Sequence, residues 1–352
     1  MHILEPENPL LERWLSDHGL PPFRAKQIRR WLFGSKIENF REMTNVPSDL
    51  REALAHDFQF WTTRIVTHSR AEDGTEKLLL ELTDRQQIEC VLLREANRHT
   101  ACISSQVGCA MGCVFCASGL DGVVRNLTAG EMVEQMLRLG RLLPEGERLS
   151  HIVVMGMGEP LANLDRLLPA LAQAGKKDGL GISPRRVTIS TVGLPDAINR
   201  LARGPAYYNL AVSLHAADDA IRNQLVPVNK TIGLRPVLKA ADDYFAASRR
   251  RLTFEYVLLD GVNDRKEHAV RLASLLAGRM ALLNLIPYNR VEGLPYQTPD
   301  RETIDNFVVI LENRGINIQL RRRKGSKIDA ACGQLRRMGP QGKSTESVQL
   351  KI

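Results

Sequence analysis

A chain of 352 residues with 43% hydrophobic and 25% charged content can bury a large core and lacks the bias of a disordered polypeptide. Met1 to Leu10 has neither a basic start nor an apolar run, and no later stretch offers the roughly 18 uninterrupted apolar residues of a membrane span, so the expectation is a cytoplasmic protein with no membrane partner. The net charge of +8 is concentrated between Gln319 and Ile352, where nine Lys and Arg stand against two acidic residues around Cys332. Such a cluster points to a polyanion brought close to a thiol.

Helical spacing at Leu10 to Leu15, Phe23 to Phe33 and Ser48 to Phe58, broken by Pro21, Pro22 and Pro47, predicts a small helical module over residues 1–60. Arg24, Lys26, Arg29 and Arg30 make it a candidate for phosphate contacts. Trp61 to Val66, Lys77 to Leu82 and Gln87 to Leu93 read as short strands, a β-rich connector over 61–94. From 95 to 328 strands and helices alternate. The expected strands are Ala101 to Gln106, His151 to Met155, Val187 to Thr191, Asn209 to Leu214, Thr253 to Leu258, Leu282 to Ile286 and Ile316 to Leu320. The clearest helices are Ala129 to Leu143, Leu234 to Ala247, Glu267 to Leu276 and Arg301 to Glu312. The pattern predicts an α/β domain on a parallel sheet, either a partial barrel or doubly wound, with ligands at the carboxyl ends of the strands. A tail over 329–352 carries Cys332.

Cysteines 90, 102, 109, 113, 116 and 332 in a reducing compartment are expected to bind metal or react rather than pair. Cys109, Cys113 and Cys116 follow the first strand of the repeat on one tight loop, able to aim three thiolates at one soft metal centre. Structural zinc takes four protein ligands, and neither a fourth Cys nor an adjacent His completes the set. A cubane iron-sulfur cluster on three thiolates leaves one iron open. Met155 to Pro160 presents glycines and a carboxylate at a strand end, but lacks the third glycine of a dinucleotide fingerprint. Glu89 alternates with Val91 and Leu93, a costly place for a carboxylate without a partner or a task.

The Cys-x3-Cys-x2-Cys loop after the first strand of an α/β repeat resembles the radical S-adenosylmethionine (SAM) superfamily. Phe23 to Ile28, Ser104 to Cys109, Arg125 to Thr128, Met155 to Pro160 and Ile328 to Leu335 narrow the resemblance to the RlmN/Cfr methyltransferases over roughly residues 20 to 336. The resemblance implies a partial (βα) barrel and a [4Fe-4S] cluster on Cys109, Cys113 and Cys116. It implies SAM contacts from Gly158, Glu159, Ser190, Ser213, Leu214, His215 and Asn289. It also implies a methyl carrier at Cys332, a resolving thiol at Cys102 that forms a transient disulfide with it, and a proton acceptor at Glu89. Two SAM are consumed per methyl. The implied partners are 23S ribosomal RNA, transfer RNA carrying the target adenosine after the anticodon, and an electron donor such as flavodoxin or its equivalent. The Phe23 to Ile28 module and the spacing to Cys332 look like the branch that methylates adenine C2, whereas Ser190 to Gly193 and Pro287 to Asn289 depart from it, with C8 methylation the alternative. A non-catalytic zinc or RNA-binding protein is the alternative of another class. Cys90 matches no family role and is expected to pack.

Overall fold

The computed structural model describes residues 1–6, 10–321 and 324–336; Arg322, Arg323, Arg337, Lys343 and Lys351 of the basic tail lie outside them. Ten strands form one sheet: β1 (Arg64–Arg70), β2 (Glu76–Glu81), β3 (Gln87–Glu95), β4 (Arg98–Cys102), then, past the hairpin β5 (Gln106–Gly108) and β6 (Val123–Asn126), β7 (His151–Val154), β8 (Val187–Thr191), β9 (Asn209–Ser213), β10 (Leu252–Leu258), β11 (Ala281–Pro287) and β12 (Ile318–Leu320). Strands β1 to β4 pair antiparallel, and from β4 to β12 every pairing is parallel.

The spatial order never reverses along the chain, so the sheet has no switch point and is not doubly wound. Successive right-handed crossovers instead curl it into an open barrel with helices outside. β10, central in the parallel run, is buried over all seven residues, as a strand covered on both faces should be. The three expected connector strands run on into β4 and are part of the main sheet.

Thr128 caps the crossover helix Ala129–Arg141 with a reciprocal capping box: its hydroxyl accepts from Glu131 N–H and its own N–H donates to Glu131 Oε2. The N-terminal helices are Leu10–Asp17, Phe23–Arg29 and Ser48–Asp57, and the chain on either side of them meets the crossover helix at the buried Glu134. Its carboxylate accepts from the N–H and hydroxyl of both Thr62 and Thr63 and faces His2 at 3.2 Å, and its pKa is lowered to about 2: burial opposes ionisation, and His2 and the two threonines outweigh it. Among the described residues no helix is long and apolar enough to cross a membrane.

The structure departs from expectation in several places, among them the strand expected over Trp61 to Val66, which is Arg64–Arg70, and the helix expected over Phe23 to Phe33, which is α-helical only over Phe23–Arg29. The strand expected over Ala101 to Gln106 is two strands. Ser104 turns the chain between them: its N–H donates to Gln135 Oε1, its hydroxyl donates to Glu89 O, and Ser104 Oγ accepts from Met157 N–H. The helix Leu164–Gly175 carries an internal Pro169, which hid it from pattern reading.

Candidate active site

The three-cysteine loop is clamped at its base by the β5–β6 hairpin. Gly108 (φ +77°) is required there, since a Cβ would fall 2.0 Å from Gly122 O. Cys109 N–H donates to Gly122 O and Val114 N–H to Leu225 O, which fixes the loop over the carboxyl ends of the strands. All three cysteines line one open cavity. Burial pushes all three thiols up, Cys109 to about 12. Three soft donors whose ionisation the apolar surroundings oppose fit a cationic metal centre that supplies the compensating charge. Among the described residues no three His, Cys, Asp or Glu side chains stand close enough to hold a single metal ion, so the three thiols suit the separate irons of a cluster rather than one ion.

Gly158 and Glu159 reach the cavity on the turn after β7. Gly158 (φ +101°) admits no side chain, because a Cβ would lie 2.6 Å from Gln106 Cβ. The buried Glu159 carboxylate accepts from Leu161 N–H at 3.0 Å and Val192 N–H at 2.9 Å. Burial nonetheless pushes its pKa up to about 7, so an added cation in the cavity would favour its charged form. Ser190 and Ser213 line the cavity at the ends of β8 and β9. Leu214 does not line it: its side chain is core, and its carbonyl accepts from Arg222 Nε.

His215 lines the cavity in a left-handed conformation (φ +60°). Its Nδ1 accepts from Val257 N–H at 3.2 Å, and its ring meets Phe115 edge-on at 4.8 Å. Burial, with Arg222 nearby, lowers its pKa to about 3. The ring is therefore neutral, with its proton on Nε2 as a donor.

Cys332 is exposed and sits on a segment tied down at every turn. Asn289 Nδ2 donates to Cys332 O at 3.1 Å, Ala117 N–H to Gly333 O at 2.8 Å, Ser118 Oγ to Leu335 O at 2.6 Å, and Gln334 Nε2 to Arg290 O at 2.9 Å. Cys332 lines the cavity of the three-cysteine loop and also a second cavity inside the barrel, whose wall includes Cys102. Burial, and then the neighbouring Cys332, push the Cys102 thiol up to about 12. Glu89 lines neither cavity. Its Oε1 pairs with Lys77 at 2.7 Å and its Oε2 accepts from Arg336 N–H at 2.8 Å, so its partners are a strand neighbour and the Cys332 segment. Burial pushes its pKa up against the pull of Lys77. Cys90 is fully buried in the core.

Three further residues belong to this region. Arg222, fully buried, braces the strand ends through Leu214 O, Ser213 O and Val192 O. Glu255 and Arg321 line both cavities, and the Arg321 cation is held up chiefly by Cys332, with Glu255 and Cys102 adding to it. Nothing in the local sequence marks the first two, since a lone Arg in a helical pattern and a lone Glu in an apolar strand have many uses. Arg321 is visible in the sequence only as one more charge of the tail.

Residues 1–59 match the model of the ribosomal RNA large subunit methyltransferase N-terminal domain, and residues 103–273 that of the radical SAM superfamily. A protein of Rhodopirellula baltica named probable dual-specificity RNA methyltransferase RlmN is 59% identical over 98% of this chain and 93% of its own length. One of the same name from Carboxydothermus hydrogenoformans is 44% identical over 92% of this chain and 94% of its own. The crystal structure of a radical SAM methyltransferase from Sphaerobacter thermophilus superposes with a TM-score of 0.93 at 42% identity, covering 96% of this chain and 99% of that one. The loop of three cysteines, the open barrel and these relatives together make the chain a member of the RlmN family of radical SAM RNA methyltransferases.

Proposed function

We propose that this chain methylates C2 of an adenosine in 23S ribosomal RNA and of the adenosine after the anticodon in transfer RNA, carrying the methyl group on Cys332. The single observation that supports this most is the position of Cys332 on the border between the cavity of Cys109, Cys113 and Cys116 and the cavity of Cys102. A carbon between two ring nitrogens is too electron-poor to attack the methyl of SAM, so the methyl needs a carrier and a radical.

Cys109, Cys113 and Cys116 would hold the [4Fe-4S] cluster, which with SAM supplies a 5′-deoxyadenosyl radical once an electron-donor protein of the flavodoxin kind delivers an electron. Cys332, as thiolate, takes the methyl of a first SAM: its sulfur bonds the carbon as the SAM sulfonium bond breaks. After the S-methyl group loses one hydrogen atom to the radical from a second SAM, its carbon bonds C2. Glu89 accepts the C2 proton as the radical adduct gives up one electron, for which the cluster would be the acceptor. The Cys102 sulfur then bonds the Cys332 sulfur, the Cys332 sulfur–carbon bond breaks, the released carbon takes a proton to become the methyl group, and an external thiol reductant returns the disulfide to two thiols. Gly158, Glu159, Ser190, Ser213, His215 and Asn289 hold SAM, Glu159 and the His215 Nε2 proton offering opposite polarity to its ammonium and carboxylate ends; Leu214 contributes backbone only.

The test is anaerobic reaction with ribosomal and transfer RNA fragments, followed by digestion to nucleosides and mass spectrometry. The expected product is 2-methyladenosine from wild type and none from a Cys332→Ala variant with full iron content. An 8-methyladenosine product would move the reaction to C8, and methylated RNA from Cys332→Ala would remove the carrier.

A further inference from the structure

The part of the barrel interior away from the cluster loop is a large polar cavity whose residues the mechanism leaves mostly unused. Its wall carries Thr100 of β4, Thr188 of β8, Thr253 of β10 and Asn284 of β11. Hydroxyls and amides inside a sheet cost free energy unless something hydrogen-bonds to them. Glu255 Oε2 and Asn284 Oδ1 are buried there with no partner among the described residues.

The mouth of this cavity is cationic. Arg98 opens β4 and Arg251 immediately precedes β10, both at amino ends of strands. Arg98 Nε donates to Thr100 Oγ1 at 3.0 Å, which aims the guanidinium along the cavity wall. Among the described residues neither Arg98 nor Arg251 has a carboxylate at ion-pair distance. Glu95, across the strand pair from Arg98, is taken by Lys324 at 3.2 Å. Like charges crowd the spot: Arg251 and Arg321, behind burial itself, oppose the charge on Arg98, and Arg98, Arg186 and Arg251 add to the burial that disfavours protonated His151. Glu95 and Glu255 also line the wall, and Glu95 favours the charge on Arg98, but Arg98, Arg251, Arg321 and Lys324 outnumber them, and that excess of cations suits an anionic ligand.

Cys102 closes the opposite end of the strand that Arg98 opens. Four residue steps at about 3.3 Å put the two about 13 Å apart, a gap that one nucleotide and the reach of an arginine side chain can cross together. We propose that this mouth receives the RNA strand: a backbone phosphate seats on Arg98 and Arg251, and its nucleotide runs along the threonine wall with the base at Cys102 and Cys332. This rests on the proposed function, with Cys332 and Cys102 meeting the base.

The experiment compares wild type with Arg98→Gln, Arg251→Gln, the double variant and the double Lys variant, each reconstituted with its cluster. The double Gln variant should raise KM for RNA at least tenfold and flatten the dependence of log affinity on log salt by about one, the slope of one phosphate. Iron content and Cys332 methylation by SAM without RNA should stay at wild-type values. The double Lys variant, which keeps the charge, should recover most of the affinity. Unchanged KM and salt slope in the double Gln variant would overturn the proposal. So would inorganic phosphate that binds wild type in an Arg98-dependent way without competing with RNA, which would make the mouth a free-anion site. RNA affinity by fluorescence anisotropy separates the readings: wild type that binds RNA through these arginines but forms no methyladenosine sinks the proposed reaction and leaves the mouth standing.

Discussion

His215 offers a quantitative check, because its environment dictates a pH dependence of stability. The unfolded chain protonates this ring near pH 6.5, whereas the folded chain refuses the proton until about pH 3. The folded pKa is depressed, so the neutral ring's contribution is fully present above 6.5 and is lost as pH falls below it. At pH 5 the loss relative to pH 7 is about 2 kcal/mol, from about 1.36 kcal/mol per pH unit. His215→Asn isolates this effect. Asn tolerates the left-handed backbone and sets Oδ1 where Nδ1 accepts from Val257 N–H, but does not titrate. Loss of the ring and its edge contact with Phe115 should cost about 1–2 kcal/mol at pH 7. Urea unfolding of metal-free protein at pH 7, 6 and 5, followed by far-UV circular dichroism, should show the wild-type and variant stabilities converging as pH falls. Two profiles that stay parallel down to pH 5 would refute a neutral buried imidazole.

Cys109→Ala, Cys113→Ala and Cys116→Ala should each lose the broad absorbance near roughly 400 nm after anaerobic reconstitution, and SAM cleavage with it, since no spare thiol lines that cavity beyond Cys332. Cys102→Ala should cost about 1 kcal/mol of stability yet leave the enzyme covalently bound to RNA through Cys332, visible on a denaturing gel; repeated turnover without an adduct would leave Cys102 a packing residue. Glu134→Gln should cost about 2–4 kcal/mol, because an amide cannot accept from all the donors of Thr62 and Thr63; a thermal midpoint equal to wild type would contradict this.

Local spacing made the parallel α/β sheet and the cysteine loop readable, since both follow from a few adjacent residues, alternating apolar runs for the strands and three thiols within eight positions for the loop, whereas the closing of the sheet as a barrel came only from the resemblance. What escaped reading depends on contacts between distant parts of the chain. Glu159 is legible as a carboxylate at a strand end, but not as the acceptor for Val192 N–H across to β8. Glu89 is legible as a buried acid, but its bond to Arg336 N–H joins residues 247 positions apart. Arg222 bridges three carbonyls from two strand ends, a role that exists only once β8 and β9 lie side by side. The basic tail promised surface charge, yet Arg321 faces two thiols inside the barrel.

The anchoring of the Cys332 segment has a kinetic corollary. With the carbonyls of Cys332, Gly333 and Leu335 each engaged, and the thiol facing both cavities, a methyl group carried on Cys332 as proposed would change surroundings by side-chain rotation alone. Rotamer exchange takes picoseconds to nanoseconds, far faster than the microsecond-to-millisecond swing of a lid. Delivery of the carbon from donor to acceptor therefore adds no slow gate of its own, and the rate of each cycle belongs to chemistry, reduction or the arrival and departure of RNA.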